Sequence, residues 1–140
     1  SEEWENFFNG LRKEFEQAVI REAKFMLANC YMQEIGTSFD PELGFRYFKE
    51  ASDRGHLDSK CRLGYCYMTG VGITEDKLKA FKFWYDAAML GSSIAQNDLA
   101  YCYCFGEAAE KDLHQTIRWL RKAINSNDGE SMETLKNVFK

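Results

Sequence analysis

The sequence predicts an all-α chain folded as an α-solenoid, a row of helix-turn-helix repeats with terminal capping helices. Three observations carry that expectation. At a shift of 36 the chain superimposes on itself, bringing Leu27, Leu63 and Leu99, then Tyr31, Tyr67 and Tyr103, then Ala51, Ala87 and Ala123 into register. Within each copy the apolar positions fall three and four residues apart, the spacing of one helical face. Pro41 is the sole proline, a scarcity that favours helices over many strands and turns.

Neither Gly nor Pro falls between Leu11 and Ile35, so one long helix from Trp4 to Gln33 is expected; the alternative is a turn near Val19 to Glu22. Phe7, Leu11 and Phe15 share the phase of Leu43, Tyr47 and Ala51, so residues 1–21 read as an N-terminal capping helix of the second type. Three repeats follow, at 22–57, 58–93 and 94–129. Their first helices carry Leu27, Cys30 and Tyr31, then Leu63, Cys66 and Tyr67, then Leu99, Cys102 and Tyr103. The residue after each Leu is small (Ala28, Gly64, Ala100), which lets a partner helix approach closely. A glycine-bearing loop comes next, with Gly36, then Gly70 and Gly72, then Gly106. Asp40, Asp76 and Asp112 are suited to N-cap the second helix, and Pro41 fits its first position. The second helix is expected to bury Tyr47 with Ala51, Phe83 with Ala87, and Trp119 with Ala123. It ends at Gly55, Gly91 and Asn127, the residue types that best tolerate a left-handed C-cap. Ser131, Leu135 and Phe139 repeat the phase of Ala95, Leu99 and Tyr103. Residues 130–140 therefore read as a C-terminal capping helix, with Lys136 facing water where the repeats have a small residue.

Composition narrows the function. Aromatic residues make up 15% of the chain, enough apolar surface to fold rather than stay disordered. The net charge is −4 without any Lys/Arg run, so no nucleic-acid partner is expected. No apolar stretch is long enough to insert into a membrane. The chain starts at Ser1 without Met and reads as an excised domain with sequence upstream and no signal peptide. Five cysteines (Cys30, Cys61, Cys66, Cys102, Cys104) form no complete disulfide set, which fits a reducing, cytoplasmic compartment. His56 and His114 lie outside the repeated core pattern and read as solvated. No nucleophile–base signature accompanies them, so no enzyme activity and no cofactor are expected. A Cys-x-Cys pair on a helix, as at Cys102 and Cys104, splits its sulfurs between faces, so no metal site is expected. Cys30, Cys66 and Cys102 read instead as small buried hydrophobes.

The stretch LGYCYMTGVGITEDKLKAFKFWYDAAMLGSSIAQ, Leu63 to Gln96, resembles the Sel1-like repeat, a relative of the tetratricopeptide repeat. The third copy carries the resemblance through Ala95, Leu99, Ala100, Tyr103, Gly106, Asp112, Trp119 and Ala123. It departs from the pattern at Ala108, Thr116 and Asn127. In the first copy Leu43-Gly44 stands in the Lys-Ala place and Ser52 replaces the second Ala. The resemblance implies a right-handed α-solenoid, an alpha-alpha superhelix, that serves as an adaptor or scaffold in protein complexes, signalling assemblies among them. Some bacterial relatives staple their repeats with disulfides; the Cys spacing here lacks the pairs between neighbouring helices that this requires.

By the same analogy the first helices line a concave groove. The stripe opposite the Leu/Tyr face then holds Phe25, Asn29 and Met32, next Cys61, Tyr65 and Met68, and last Asn97, Tyr101 and Phe105. Its aromatic and Met content suits a contact surface, so a peptide or helix of another protein is the expected partner. The second reading is self-association, through groove or cap surfaces, into a homo-oligomer.

Overall fold

The computed structural model describes residues 1–125 together with 133, 136 and 137. Asn127, Ser131, Leu135 and Phe139, and with them most of the expected C-terminal cap, lie outside the described residues; Lys136 is exposed. The described helices are α1 (Glu2–Gln33), α2 (Pro41–Asp53), α3 (Leu57–Thr69), α4 (Lys77–Met89), α5 (Ser93–Phe105) and α6 (Leu113–Ile124), and no strand occurs among the described residues. Among the described residues, substantial packing joins only helices that follow one another in sequence, α1 on α2 through to α5 on α6. The hairpins therefore stack stepwise instead of closing into a globule, which is the α-solenoid architecture.

The 36-residue interval recurs in the backbone hydrogen bonds. Each first helix is closed by an amide after its end donating to a Cys carbonyl: Ile35 to Cys30 at 3.0 Å, Val71 to Cys66 at 3.2 Å and Glu107 to Cys102 at 2.9 Å. Each loop is then pinned by an Asp amide donating to a Tyr carbonyl, Asp40 to Tyr31, Asp76 to Tyr67 and Asp112 to Tyr103, at 2.8–3.0 Å. The same Asp residues N-cap α2, α4 and α6, their carboxylates accepting from Leu43, Lys79 and Gln115 amides at 3.1 Å. One residue type thus fixes both the end of the loop and the start of the next helix.

The core lies where successive helices meet. Leu63 and Leu99 are fully buried, as are Ala51, Ala87 and Ala123. On the second helices the large buried side chains are Phe48, Trp84 and Leu120, one position beyond the expected Tyr47 and Phe83. Trp119 is buried as expected, beside Leu120. Tyr47 and Phe83 are only half-buried because they stack on the loop-facing Tyr31 and Tyr67, at centroid distances of 5.9 and 5.5 Å. The small residue after each Leu has the expected role. A Cβ at Gly64 would sit 2.4 Å from the Trp84 Nε1, which instead donates to the Cys61 carbonyl at 3.0 Å.

The N-terminus departs from the repeat. The segment 1–21, expected as a capping helix of the second type, is the first part of one continuous α1. Its phase matches a second helix but its residues do not: Arg12 stands at the buried place of Phe48, Trp84 and Leu120, and Trp4 at the place of the capping Asp. It therefore does not fold back over α1, and Leu27 stays 43% exposed where Leu63 and Leu99 are fully buried.

Each hairpin loop holds two left-handed residues, 36 apart from copy to copy: Glu34 and Gly36, Gly70 and Gly72, Gly106 and Ala108. Ala108 takes this conformation at φ 59° without glycine's freedom. At Gly72 (φ 80°) a Cβ would meet the Pro41 carbonyl oxygen at 2.3 Å, so glycine is required there on two grounds. Gly72→Ala is expected to lower unfolding free energy by roughly 2–4 kcal/mol, from strain and overpacking together. Ala108→Gly should stay near neutral, because relieved strain and added unfolded-state entropy are each about 1 kcal/mol. Urea unfolding of the two variants checks both values.

Candidate functional site

The residues expected to form the groove lie on α1, α3 and α5, and the structure gives them different environments. Tyr65, Tyr101 and Phe105 are exposed; Phe25, Asn29, Met32 and Met68 are half-buried; Cys61 and Asn97 are buried. Two cavities gather part of the set. The first, about 300 Å³, is lined by Phe25, Asp58, Cys61, Arg62, Tyr65, Ile94 and Asp98. The second, about 190 Å³, is lined by Asn29, Met32, Gln33, Phe48, Arg62, Tyr65, Cys66 and Val71. Arg62 and Tyr65 border both, so the cavities form one trough across α1 and α3 with its far wall on α5.

The trough does not take in every expected residue. Tyr101 and Phe105 lie outside both cavities and pack on each other, ring centroids 4.6 Å apart. Met68 packs against the cluster around Trp84 and Leu99. Asn97 is turned inward, its side-chain oxygen buried without a hydrogen-bond partner among the described residues. Phe25 has a double role, lining the first cavity while packing on Phe48 at 5.9 Å and His56 at 4.6 Å.

Asp58, Arg62, Ile94 and Asp98 were not expected. They sit one or three positions from Cys61 and Asn97, so they share the rim of the same helical stripe. A criterion of aromatic and Met content passes over such charged neighbours. Their charges bear on Cys61: burial pushes its thiol up to about 11, Asp98 and Asp58 push the same way, and a hydrogen bond to Ser92 opposes them. The Cys61 sulfur and Ser92 hydroxyl lie 3.2 Å apart. Burial likewise raises Cys66 to about 11 and Cys102 to about 12. The cysteines are unpaired, and these three are protonated, apolar wall and core rather than nucleophiles. Among the described residues no group of three His, Cys, Asp or Glu side chains is placed to hold a metal ion, and no helix is long and apolar enough to cross a membrane.

His56, expected as solvated, is a structural residue. Its Nδ1 accepts from the Ser59 amide at 3.1 Å and so caps α3. Because Nδ1 accepts there, the ring proton sits on Nε2, which lies 2.9 Å from the Glu22 carboxylate on α1. The ring therefore ties α1 to the start of α3 beside the first cavity. Sequence reasoning missed this because histidine is an uncommon N-cap and Glu22 lies 34 residues away.

The fold, the 36-residue interval and the trough define a helical-hairpin repeat protein with an open trough across its first helices. The Sel1 repeat family model matches residues 21–56, 57–92 and 93–128, and the chain belongs to the Sel1 repeat family. These bounds fall one residue before the periods read from the sequence. Among solved structures it is similar to a Sel1 repeat protein from Oxalobacter formigenes, at 23% identity and TM-score 0.76, over 79% of this chain and 45% of that one. It is also similar to a protective antigen with an SLR fold from uropathogenic Escherichia coli, at 25% identity and TM-score 0.77, over 91% of this chain and 27% of that one. Helicobacter pylori cysteine rich protein B shares the fold at 16% identity and TM-score 0.66, over 85% of this chain and 94% of that one. The chain thus spans less than half the length of the first two. No curated protein matches it.

Replacing His56 with Ala removes the α3 cap and the tie to Glu22. A loss of about 1 kcal/mol in stability is expected, read as a lower urea midpoint at unchanged slope. The three buried thiols predict an alkaline decline. With folded values raised above the unfolded value of about 9, their contribution is complete below pH 9 and is lost as pH rises through 11–12. A variant with both Cys66→Ala and Cys102→Ala should lose stability less steeply over that window; an unchanged slope would sink the assignment.

Proposed function

We propose that this chain is a protein-interaction module whose trough across α1, α3 and α5 holds a peptide or helix of another protein. Sel1 repeat proteins in general mediate protein–protein interactions. The observation that supports the groove most directly is the shared wall of the two cavities. Tyr65 remains 59% exposed there, beside Arg62 and above apolar floors made by Phe25 and Cys61 on one side and Met32 and Phe48 on the other. Tyr and Arg are the residue types that most often dominate binding energy when a partner covers them. Phe25, Asn29, Met32, Cys61 and Tyr65 are the core of the proposed site. Tyr101 and Phe105 extend it along α5, while Met68 and Asn97 act as support from behind.

The test is a peptide selected from a displayed random library on immobilised chain, with its affinity then measured in solution by fluorescence anisotropy. Tyr65→Ala with Tyr101→Ala should weaken that peptide at least tenfold, or about 1.4 kcal/mol, while the thermal midpoint stays within a few degrees. Unchanged affinity would remove the groove. A collapsed fold would show that these rings stabilise the array rather than receive a partner.

A further inference from the structure

The first sixteen residues of α1 are exposed, yet they carry five large apolar side chains. Trp4 is 62% exposed and Phe15 70%, with Phe7, Phe8, Leu11 and Val19 between about half and two-thirds. Trp4, Phe7 and Phe8 already form a ring cluster with centroids 6.0–6.2 Å apart. At about 1.5 Å per residue this arm extends roughly 25 Å beyond the hairpins. Its ties to other helices begin only at Gln17, which accepts from Arg54, at Glu22 with His56 and at Lys24 with Glu50. A lone helix of this length is marginal in water, and this one shows water an unbroken apolar seam.

We propose that the N-terminal half of α1 pairs with the same segment of a second copy of this chain, antiparallel, to form a two-fold dimer. Trp4, Phe8, Leu11, Phe15 and Ala18 follow one another at intervals of four, three, four and three, the knob positions of a two-helix seam. Arg12 and Glu16 keep the arm from acting as a second helix of its own repeat array, but both lie off that seam. Charge sets the direction. Glu2, Glu3 and Glu5 occupy the first turn, while Arg12, Lys13 and Arg21 lie further along. Antiparallel pairing of the whole seam is centred on Leu11 and sets Glu2 and Glu3 of one copy beside Arg21 of the other, whereas parallel pairing stacks carboxylate on carboxylate. Residues 2–19 hold five carboxylates against two cations, which disfavours an anionic lipid surface as the occupant. The area suffices. Six large side chains half-exposed, at roughly 100 Å² each, bury about 1,200 Å² across the pair, the lower bound for a specific interface.

Sedimentation velocity over a micromolar concentration series tests this. The expected mass is twice the 16.3 kDa of one chain, falling to one chain in Phe8→Glu and in Phe15→Glu with the solenoid's thermal midpoint retained. Added salt should shift the equilibrium toward monomer, because opposite charges face each other. A wild-type monomer at every concentration overturns the proposal. So does a dimer untouched by Phe15→Glu but dissolved by Tyr101→Ala, which would place the contact in the groove. Tightening by salt overturns the antiparallel direction.

Discussion

The array is held at the distance that Ala28, Gly64 and Ala100 permit between a first helix and the second helix packed on it. The large partner decides how small that residue must be. Where Trp84 covers the position, even a methyl group would overlap the indole, and glycine is required. Where Phe48 and Leu120 take the same place, Ala28 and Ala100 are tolerated and fully buried. The indole also donates to the Cys61 carbonyl, so closeness satisfies a buried polar group as well as filling space. Tight packing of this kind transmits position from hairpin to hairpin. The trough depends on it, since one of its walls stands on each of three consecutive first helices.

Much of the fold was legible because repeated geometry leaves repeated chemistry. The capping Asp, the left-handed loop glycines and the buried Ala of the second helices each answer a local backbone demand, and local demands show in a single sequence. The depth of an aromatic is less local. Tyr47 and Phe48 are adjacent on α2, and which one reaches the core depends on how the helix rolls against its neighbours. The structure gives the core to Phe48 because Tyr47 is drawn off to stack on Tyr31. His56 was illegible for a similar reason: its partners, Ser59 and Glu22, come from two helices that only the fold brings together.

The candidate site was legible in outline, as a face, and not in its electrostatics. Helical spacing places Phe25, Cys61 and Tyr65 on one side, and the first cavity does gather them. The same spacing says nothing about how far Asn97 turns inward, nor that Arg62 joins two cavities. Charged residues on a helix rim usually mean contact with water, so Asp58 and Asp98 carried no signal until the fold set both around the first cavity with Cys61.

One pattern connects the arm to the trough. Continuing the seam from Trp4 by alternate steps of four and three leads through Phe8, Leu11, Phe15, Ala18, Glu22, Phe25 and Asn29 to Met32. Its last part is the α1 wall of the trough. A straight helix drifts about 20° per heptad against such a repeat, so the stripe turns gradually from the exposed side of the arm toward the hairpins. Glu22 interrupts its apolar run at the point where His56 fastens α1 to the solenoid. The free arm and the α1 wall are therefore two stretches of one helical face, divided by the polar residue that anchors the helix. Whatever lies along the first stretch ends at the lip of the second, since α1 runs through both without a break.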